Sequence, residues 1–133
     1  MTVIVCVDDD GGMLFNHRRQ SQDALLRERI LHLTAGKRLW MNAYSAGQFE
    51  ASPQLCIAED FLRQAGAEDY CFVEDADLVP YAPQIRQLNL YRWNRRYPSD
   101  RRFPLDLAGW TLLRSADFTG HSHPIITEEI YVP

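Results

Sequence analysis

The chain has 133 residues, the size of one domain around a single core, so we expect one domain over residues 1–133. Its net charge of −4 argues against a nucleic-acid partner, and no apolar stretch reaches the roughly 20 residues that span a membrane. The N-terminus lacks the features of a signal peptide, and the three cysteines lie in apolar runs. We therefore expect a cytoplasmic protein with buried, unpaired thiols.

The first segment of the chain, residues 3–21, is expected to form the central strand and the loop beside a pocket. The run Val3–Val7 is apolar and β-branched without polar alternation, which indicates a strand buried on both faces. A turn of acids and glycines follows, Asp8–Gly12, and its acids are expected to stabilise the turn rather than to bind a metal. A central strand that ends in a polar loop is where α/β folds place ligands, so we expect a pocket there.

A helix is predicted over residues 22–34, with Ser21 as its N-cap. Its apolar residues recur at helical spacing on one stripe: Leu26, Ile30 and Leu33. Asp23 lies three residues before Leu26. It is therefore expected on the buried side of the helix, one turn nearer the start.

Six further strands are predicted, over residues 38–42, 54–58, 69–73, 88–93, 110–114 and 125–132. Short helical segments are expected to begin at Ser45, Glu59 and Glu74. Strands that alternate with helices indicate a mostly parallel sheet, and the last two strands, which lack an intervening helix, should pair antiparallel at one edge. The predicted fold class is α/β, with helices on both faces of a mixed sheet of about seven strands.

Several motifs at the two ends of the chain occur in a specific order. Near the N-terminus, a strand with Val-Asp and a glycine turn precede a helix that ends in Thr34–Lys37, and the next strand ends at Met41. In the C-terminal part, Asp100–Pro104 reads Asp-x-x-Phe-Pro, Trp110 opens a strand, and Ser115–Phe118 reads Ser-x-x-Phe. In this order the motifs resemble the dihydrofolate reductase family. The resemblance implies a dihydrofolate-reductase-like three-layer αβα fold.

Two segments depart from that family where it holds the phosphates of NADPH. The family's Met-Gly-Arg-x-Thr is replaced by Met41–Ser45, which has neither the glycine nor the arginine. Its Gly-Gly after the fourth strand is replaced by Val73–Asp77, which carries three carboxylates at an expected helix N-terminus. Side chains and negative charge there disfavour a bound anion.

Two further departures concern the adenosine side and the substrate acid. Compared with the family, the chain is shorter between Ser45 and Tyr70 by about one βα unit. Tyr91 also replaces the family's threonine partner of the substrate acid. We therefore predict that the chain binds no NADPH and no other cofactor.

The resemblance implies Asp23 as the counterpart of the family's catalytic acid, which projects from the first helix and holds the pterin ring. Counting back without gaps from Thr34 and Met41 places Leu26 at that position instead, so two registers remain open. A different interpretation is that Asp23 only stabilises the N-terminus of the helix.

The polar loop offers several hydrogen-bond donors for a small anionic or heterocyclic ligand. The predicted substrate-binding residues are Asn16, His17, Arg18, Arg19 and Gln20. The alternative is a solvated loop whose arginines pair with Asp8, Asp9 or Asp10.

His121-Ser122-His123 has the spacing of two metal ligands, but Pro124-Ile125 follows it. Because a zinc site needs three or more ligands, we predict an exposed loop and no metal.

Three functional hypotheses follow from these patterns. The leading one is a dihydrofolate-reductase-like pseudoenzyme that does not bind NADPH and uses the cleft for a small ligand or a partner protein. The alternative is an active enzyme of divergent chemistry, reductase-like or hydrolase, with Asp23 as acid or base and His17 with Arg18 or Arg19 polarising the substrate. The third is an interaction module that forms a homodimer through an edge strand or through exposed aromatics such as Trp93 and Tyr97.

Overall fold

A computed structural model describes all residues from 1 to 133 and contains ten strands. The strands are β1 (Thr2–Val7), β2 (Gly12–Phe15), β3 (Arg18–Arg19), β4 (Leu39–Met41), β5 (Leu55–Ile57), β6 (Tyr70–Phe72), β7 (Gln87–Arg92), β8 (Arg101–Arg102), β9 (Thr111–Phe118) and β10 (Ile126–Val132). The helices are α1 (Ala24–Leu33), α2 (Ala43–Ala46), α3 (Phe61–Gln64) and a 3-10 helix over Val79–Gln84. None of these helices has the length and apolar character needed to cross a bilayer.

Seven strands form the main sheet in the order β5-β4-β6-β1-β7-β10-β9. The first five of these are parallel to one another. Strand β10 runs antiparallel to both β7 and β9, and β9 lies at the edge. The predicted α/β class, with a mixed, mostly parallel sheet and a C-terminal antiparallel pair, is confirmed.

Strand β1 is central and buried on both faces. Val3, Val5 and Val7 point into a core shared with α3 and the 3-10 helix, whereas Ile4 packs on the other face against α1. Because every residue of such a strand meets apolar neighbours, the unbroken apolar run of β1 follows from its position in the sheet.

Helix α1 begins two residues later than the sequence predicts. Its N-cap is Asp23, not Ser21, and the Asp23 carboxylate accepts hydrogen bonds from the amides of Leu25 and Leu26 at 3.0 and 3.1 Å. Asp23 therefore lies at the helix end and not within the helix. Of the predicted apolar stripe, Leu26 and Ile30 are buried, but Leu33 is 39% exposed.

The three predicted short helices also start elsewhere, and α3 begins at Phe61, two residues after Glu59. Helix α2 begins at Ala43 with Asn42 as its N-cap, since the Asn42 side chain accepts from the Ser45 amide at 3.0 Å. No α-helix begins at Glu74, and the chain turns helical only at Val79, where Pro83 keeps it a 3-10 helix.

The polar loop before α1 contains a β-hairpin that the sequence analysis missed. Strands β2 and β3 pair antiparallel and are joined by Asn16 and His17, both at positive φ, 52° and 62°. Two successive residues of this conformation make the kind of turn whose twist suits a two-residue hairpin. Strand β8 pairs with β2, so a small second sheet of three strands covers this end of the molecule.

One of the surfaces predicted for a homodimer is buried. Trp93 is only 4% exposed, because it packs within the core between α1 and the sheet, so its predicted role as an exposed aromatic is wrong. Dimerisation through an edge strand stays a prediction.

A buried carboxylate joins α1 to the sheet. Glu128 of β10 accepts from Arg29 of α1 at 2.9 Å and from the Tyr91 hydroxyl of β7 at 2.8 Å. Burial alone would raise the pKa of Glu128, but the hydrogen bonds from Arg29 and Tyr91 outweigh it and hold the pKa below its usual value. Ionised Glu128 therefore stabilises the fold at neutral pH.

We expect this contribution to disappear in acid. It is fully present above the pKa of an unfolded-state glutamate, about 4.3, and is lost as the pH falls through the lower folded-state pKa. Glu128→Gln should therefore lower the free energy of unfolding at pH 7 by roughly 1–3 kcal/mol, and the difference from wild type should shrink towards pH 3. Urea unfolding at both pH values measures this, with exposed Glu50→Gln as the control. A Glu128→Gln deficit that is equally large at both pH values contradicts the argument.

Candidate functional site

A narrow cleft opens at the carboxyl ends of the central parallel strands. Cys6 of β1, Val73 after β6 and Trp93 after β7 form its floor, and α1 forms one wall. Seven of the fifteen residues that line the cleft are hydrophobic. It lies at the end of β1 where the sequence predicts a pocket.

Asp23 lies at one end of this cleft with almost no contact to solvent, 2% exposed. Besides capping α1, its carboxylate accepts from the backbone amides of His121 and Ser122 at 3.0 and 2.9 Å. The ring Nδ1 of His123 lies 3.0 Å from Oδ2. Asp23 thus connects the start of α1 to the loop between β9 and β10.

These contacts determine the protonation state of Asp23. Burial on its own would raise the pKa of Asp23, but hydrogen bonds from the His121 amide, the His123 ring and the Ser122 amide hold it well below its usual value. At neutral pH the carboxylate is ionised and has no proton to donate. The geometry therefore supports the interpretation of Asp23 as a helix cap and adds a second role, the orientation of His123.

His123 is buried, which corrects the expectation of an exposed loop over residues 121–123. It is 3% exposed because its ring stacks on Trp93, with centroids 4.5 Å apart, and because it hydrogen-bonds to the buried Asp23 carboxylate. The Nε2 atom lies 3.0 Å from both Ser21 Oγ and Tyr97 Oη. With Nδ1–H donating to the carboxylate, Nε2 is left as an acceptor for these hydroxyl groups.

A buried turn holds Tyr97 in place beside this histidine. The Asp8 carboxylate accepts from the amides of Gly12 at 2.7 Å and Tyr97 at 3.1 Å, and from the Gln20 side chain at 3.2 Å. Asp8 is fully buried, so it stabilises the turn after β1, as predicted from the acids and glycines of that segment.

The other end of the cleft is filled by a second polar group, the Glu74 cluster, which consists of Arg19, Ser45, Gln48 and Glu74. The Glu74 carboxylate accepts from Arg19 Nε at 3.0 Å, Ser45 Oγ at 2.8 Å and Gln48 Nε2 at 3.1 Å. The Arg19 guanidinium also stacks on the Tyr44 ring, 4.3 Å from its centroid. Arg19 is thereby neutralised by Glu74 and not by the acids of residues 8–10.

The Glu74 cluster brings together the two segments that depart from the dihydrofolate reductase pattern. Ser45 contacts Glu74, and the Asn42 side chain donates to Asp75 at 2.7 Å. Side chains of the two segments thus hydrogen-bond to each other.

The predicted ligand loop divides among different surfaces. Arg19 and Gln20 line the cleft, and together with the exposed Asn16 and Arg18 they also line an open depression on the hairpin. His17 faces a separate depression beside Asp100 and Arg101. Asp23 and Arg19 therefore share one cleft, as the enzyme hypothesis requires, whereas His17 does not join them.

The histidine at the site is His123, which the sequence analysis did not connect with Asp23. The two residues are 100 positions apart in the chain, and no spacing in the sequence signals their contact. The His-Ser-His segment before the last strand was visible, but only as a weak metal motif.

Comparison with known proteins supports the fold alone. No family model matches the chain, and no curated protein matches it in sequence. Among solved structures the chain is similar to dihydrofolate reductase from Enterococcus faecalis complexed with NADP(H) and RAB-propyl, with a TM-score of 0.67 and 11% identity. The match covers 98% of this chain and 94% of that one. The chain therefore has a dihydrofolate-reductase-like fold, as the motifs predicted.

Close packing around Asp23 gives a test of how tightly the site is built. At Gly120 a Cβ atom would lie 2.7 Å from Asp23 Oδ2 and 2.8 Å from the His123 carbonyl oxygen. We expect Gly120→Ala to lower the free energy of unfolding by about 1–3 kcal/mol, because the carboxylate or the loop must move. Gly109→Ala is the control, since nothing lies within 4 Å of its Cβ position. Equal urea midpoints for the two variants would contradict the packing argument.

Proposed function

We propose that the protein binds a small, uncharged, partly apolar molecule, such as a heterocycle, in the cleft and does not carry out NADPH-dependent reduction. The observation that carries the proposal is the Glu74 cluster. It fills the end of the cleft formed by the two segments that, by resemblance, would hold the phosphates of a dinucleotide.

Charge in this region opposes a bound diphosphate. Glu74 is held in place by three donors, and its only cationic partner, Arg19, is committed to it by two hydrogen bonds at 3.0 and 3.2 Å. Asp75 and Asp77 follow directly, and no α-helix starts here to offset them with its dipole. Direct repulsion between these carboxylates and a phosphate therefore disfavours the diphosphate, without any contribution from a helix N-terminus.

The cleft as a whole favours a ligand without net charge. Four charged side chains line it, Arg19, Arg27, Asp23 and Glu74, and their formal charges cancel. The rest of the lining includes Leu26, Ile30, Phe72, Val73 and Trp93. A cleft that combines apolar side chains with fixed polar groups is typical of small-molecule sites.

One polar atom of a residue that lines the cleft lacks a partner. Gln20 Oε1 is buried yet accepts no hydrogen bond from the protein, although the Gln20 amide nitrogen donates to Asp8. A buried acceptor of this kind requires a donor from water or from a ligand. The N–H group of a heterocycle would satisfy it.

The first prediction of this proposal concerns NADPH. We expect no saturable binding in a fluorescence titration up to about 1 mM, an affinity limit of roughly −4 kcal/mol. Glu74→Gln, which removes the negative charge and leaves Arg19 unpaired, should bind NADPH more strongly than wild type, and exposed Glu50→Gln should not. Tight, saturable binding to the wild type would refute the proposal.

The second prediction concerns the ligand class. In a thermal-unfolding screen, neutral heterocycles should stabilise the protein and phosphorylated metabolites should not. A ligand at about 100 times its Kd adds roughly 2.7 kcal/mol by mass action. Gln20→Ala should weaken the effect of a hit, whereas exposed Gln64→Ala should leave it unchanged. Stabilisation by phosphorylated compounds alone would argue for an anion site instead.

A further inference from the structure

A serine, a histidine and an aspartate form a continuous hydrogen-bonded chain beside the cleft, and the serine and the aspartate line it. Ser21 Oγ lies 3.0 Å from His123 Nε2, and His123 Nδ1 lies 3.0 Å from Asp23 Oδ2. The two ring nitrogens thus bridge a hydroxyl group and a carboxylate that are two residues apart in the chain. Nucleophilic sites of this kind are recognised by geometry and roles, and their members occur in different orders in unrelated folds.

We propose that Ser21 is a nucleophile that hydrolyses a small carboxylic ester in the cleft, with His123 as its general base and Asp23 as the positioning residue. This inference rests on the proposed function, because the ester must enter the same cleft. It replaces the predicted set of Asp23 with His17 and Arg19.

Each group has the placement that its role requires. Ser21 lines the cleft and is half-buried, so a substrate can reach its hydroxyl. His123 is held on both sides, by the Trp93 ring and by the Asp23 carboxylate, which leaves its Nε2 directed at Ser21. Asp23 touches neither the cleft hydroxyl nor a substrate carbonyl, and it acts by fixing the tautomer of the imidazole.

The reaction balances with water as the only co-reactant. Ser21 Oγ forms a bond to the carbonyl carbon while its proton passes to His123 Nε2. Collapse of the tetrahedral intermediate breaks the ester C–O bond, and the leaving alkoxide takes the proton from Nε2. Water then attacks the acyl-serine, Nε2 accepts a proton from the water and returns it to Ser21 Oγ, and a carboxylic acid leaves.

The surroundings of Ser21 match this substrate class. The backbone amides of Ser21 and Gln22 donate no hydrogen bond within the protein, which leaves them free for a developing oxyanion. The apolar side chains of Leu26, Ile30 and Phe72 line the same cleft and suit an apolar acyl group.

Tyr97 provides a second hydroxyl group at the same ring nitrogen. Its Oη lies 3.0 Å from Nε2 and 3.4 Å from Ser21 Oγ. The tyrosine therefore competes with Ser21 for the base. Tyr97→Phe removes this competition and leaves Ser21, His123 and Asp23 unchanged.

Covalent labelling tests the nucleophile directly. Folded wild-type protein is incubated with a fluorophosphonate, which forms an Oγ–P bond to an activated serine and releases fluoride. We expect one adduct per chain by intact-mass spectrometry, located at Ser21 by peptide mapping and absent in Ser21→Ala. Ser115→Ala is the matched control, because Ser115 is exposed on β9, away from His123 and Asp23, and its loss should leave labelling intact. Tyr97→Phe should label at least as fast as wild type.

A kinetic measurement separates the positioning role of Asp23 from a structural one. With p-nitrophenyl butyrate, Asp23→Asn should lower kcat by up to about 10⁴-fold while leaving KM close to the wild-type value. A variant that merely unfolds in part would instead lose its urea transition and bind the ester poorly.

The outcomes distinguish the two proposals. Absence of an adduct on folded wild type, or an adduct that persists in Ser21→Ala, overturns the inference. If a neutral ligand still stabilises that sample, the proposed function survives the failure. If NADPH binds tightly while Ser21 is labelled, the proposed function fails and the nucleophile stands.

Discussion

The buried carboxylate of Asp23 is the constraint on which the rest of the site depends. It caps α1 and at the same time accepts from the His121 and Ser122 amides and from the His123 ring. A charge without access to water must be satisfied by the protein on all sides, so α1 and the loop after β9 are brought to one point. That convergence places His123 against Ser21 and shapes one end of the cleft.

A half-buried carboxylate, Glu74, organises a second polar group in the cleft. Its three donors come from β3, α2 and the residues after α2. These segments therefore hydrogen-bond to a carboxylate of the protein and not to a ligand phosphate. The dihydrofolate-reductase-like fold is thus retained with a different distribution of charge.

The sequence predicted the sheet well because its information is local. The apolar run of β1 and the spacing of Leu26 and Ile30 on α1 depend on periodicity, and both elements lie where that pattern predicts. Boundaries were less accurate, since Asp23 took the cap expected of Ser21 and no helix began at Glu74. Caps depend on which side chain can turn towards the amides, and tertiary contacts decided that choice.

For the site, too, local features could be predicted from the sequence, whereas long-range contacts could not. From the sequence alone came the fold class, the position of a cleft beyond β1 and the loss of the glycine segments typical of dihydrofolate reductase. Only the tertiary structure decided which histidine joins Asp23, because His123 and Asp23 meet through the return of β10 to the sheet, 100 residues later. It also separated His17 from Arg19, since the Asn16–His17 turn places neighbouring side chains on different surfaces. The periodicity of the sequence indicates on which face of a helix or strand a residue lies. Which residues it contacts there depends on pairing between polar groups that are far apart in the chain.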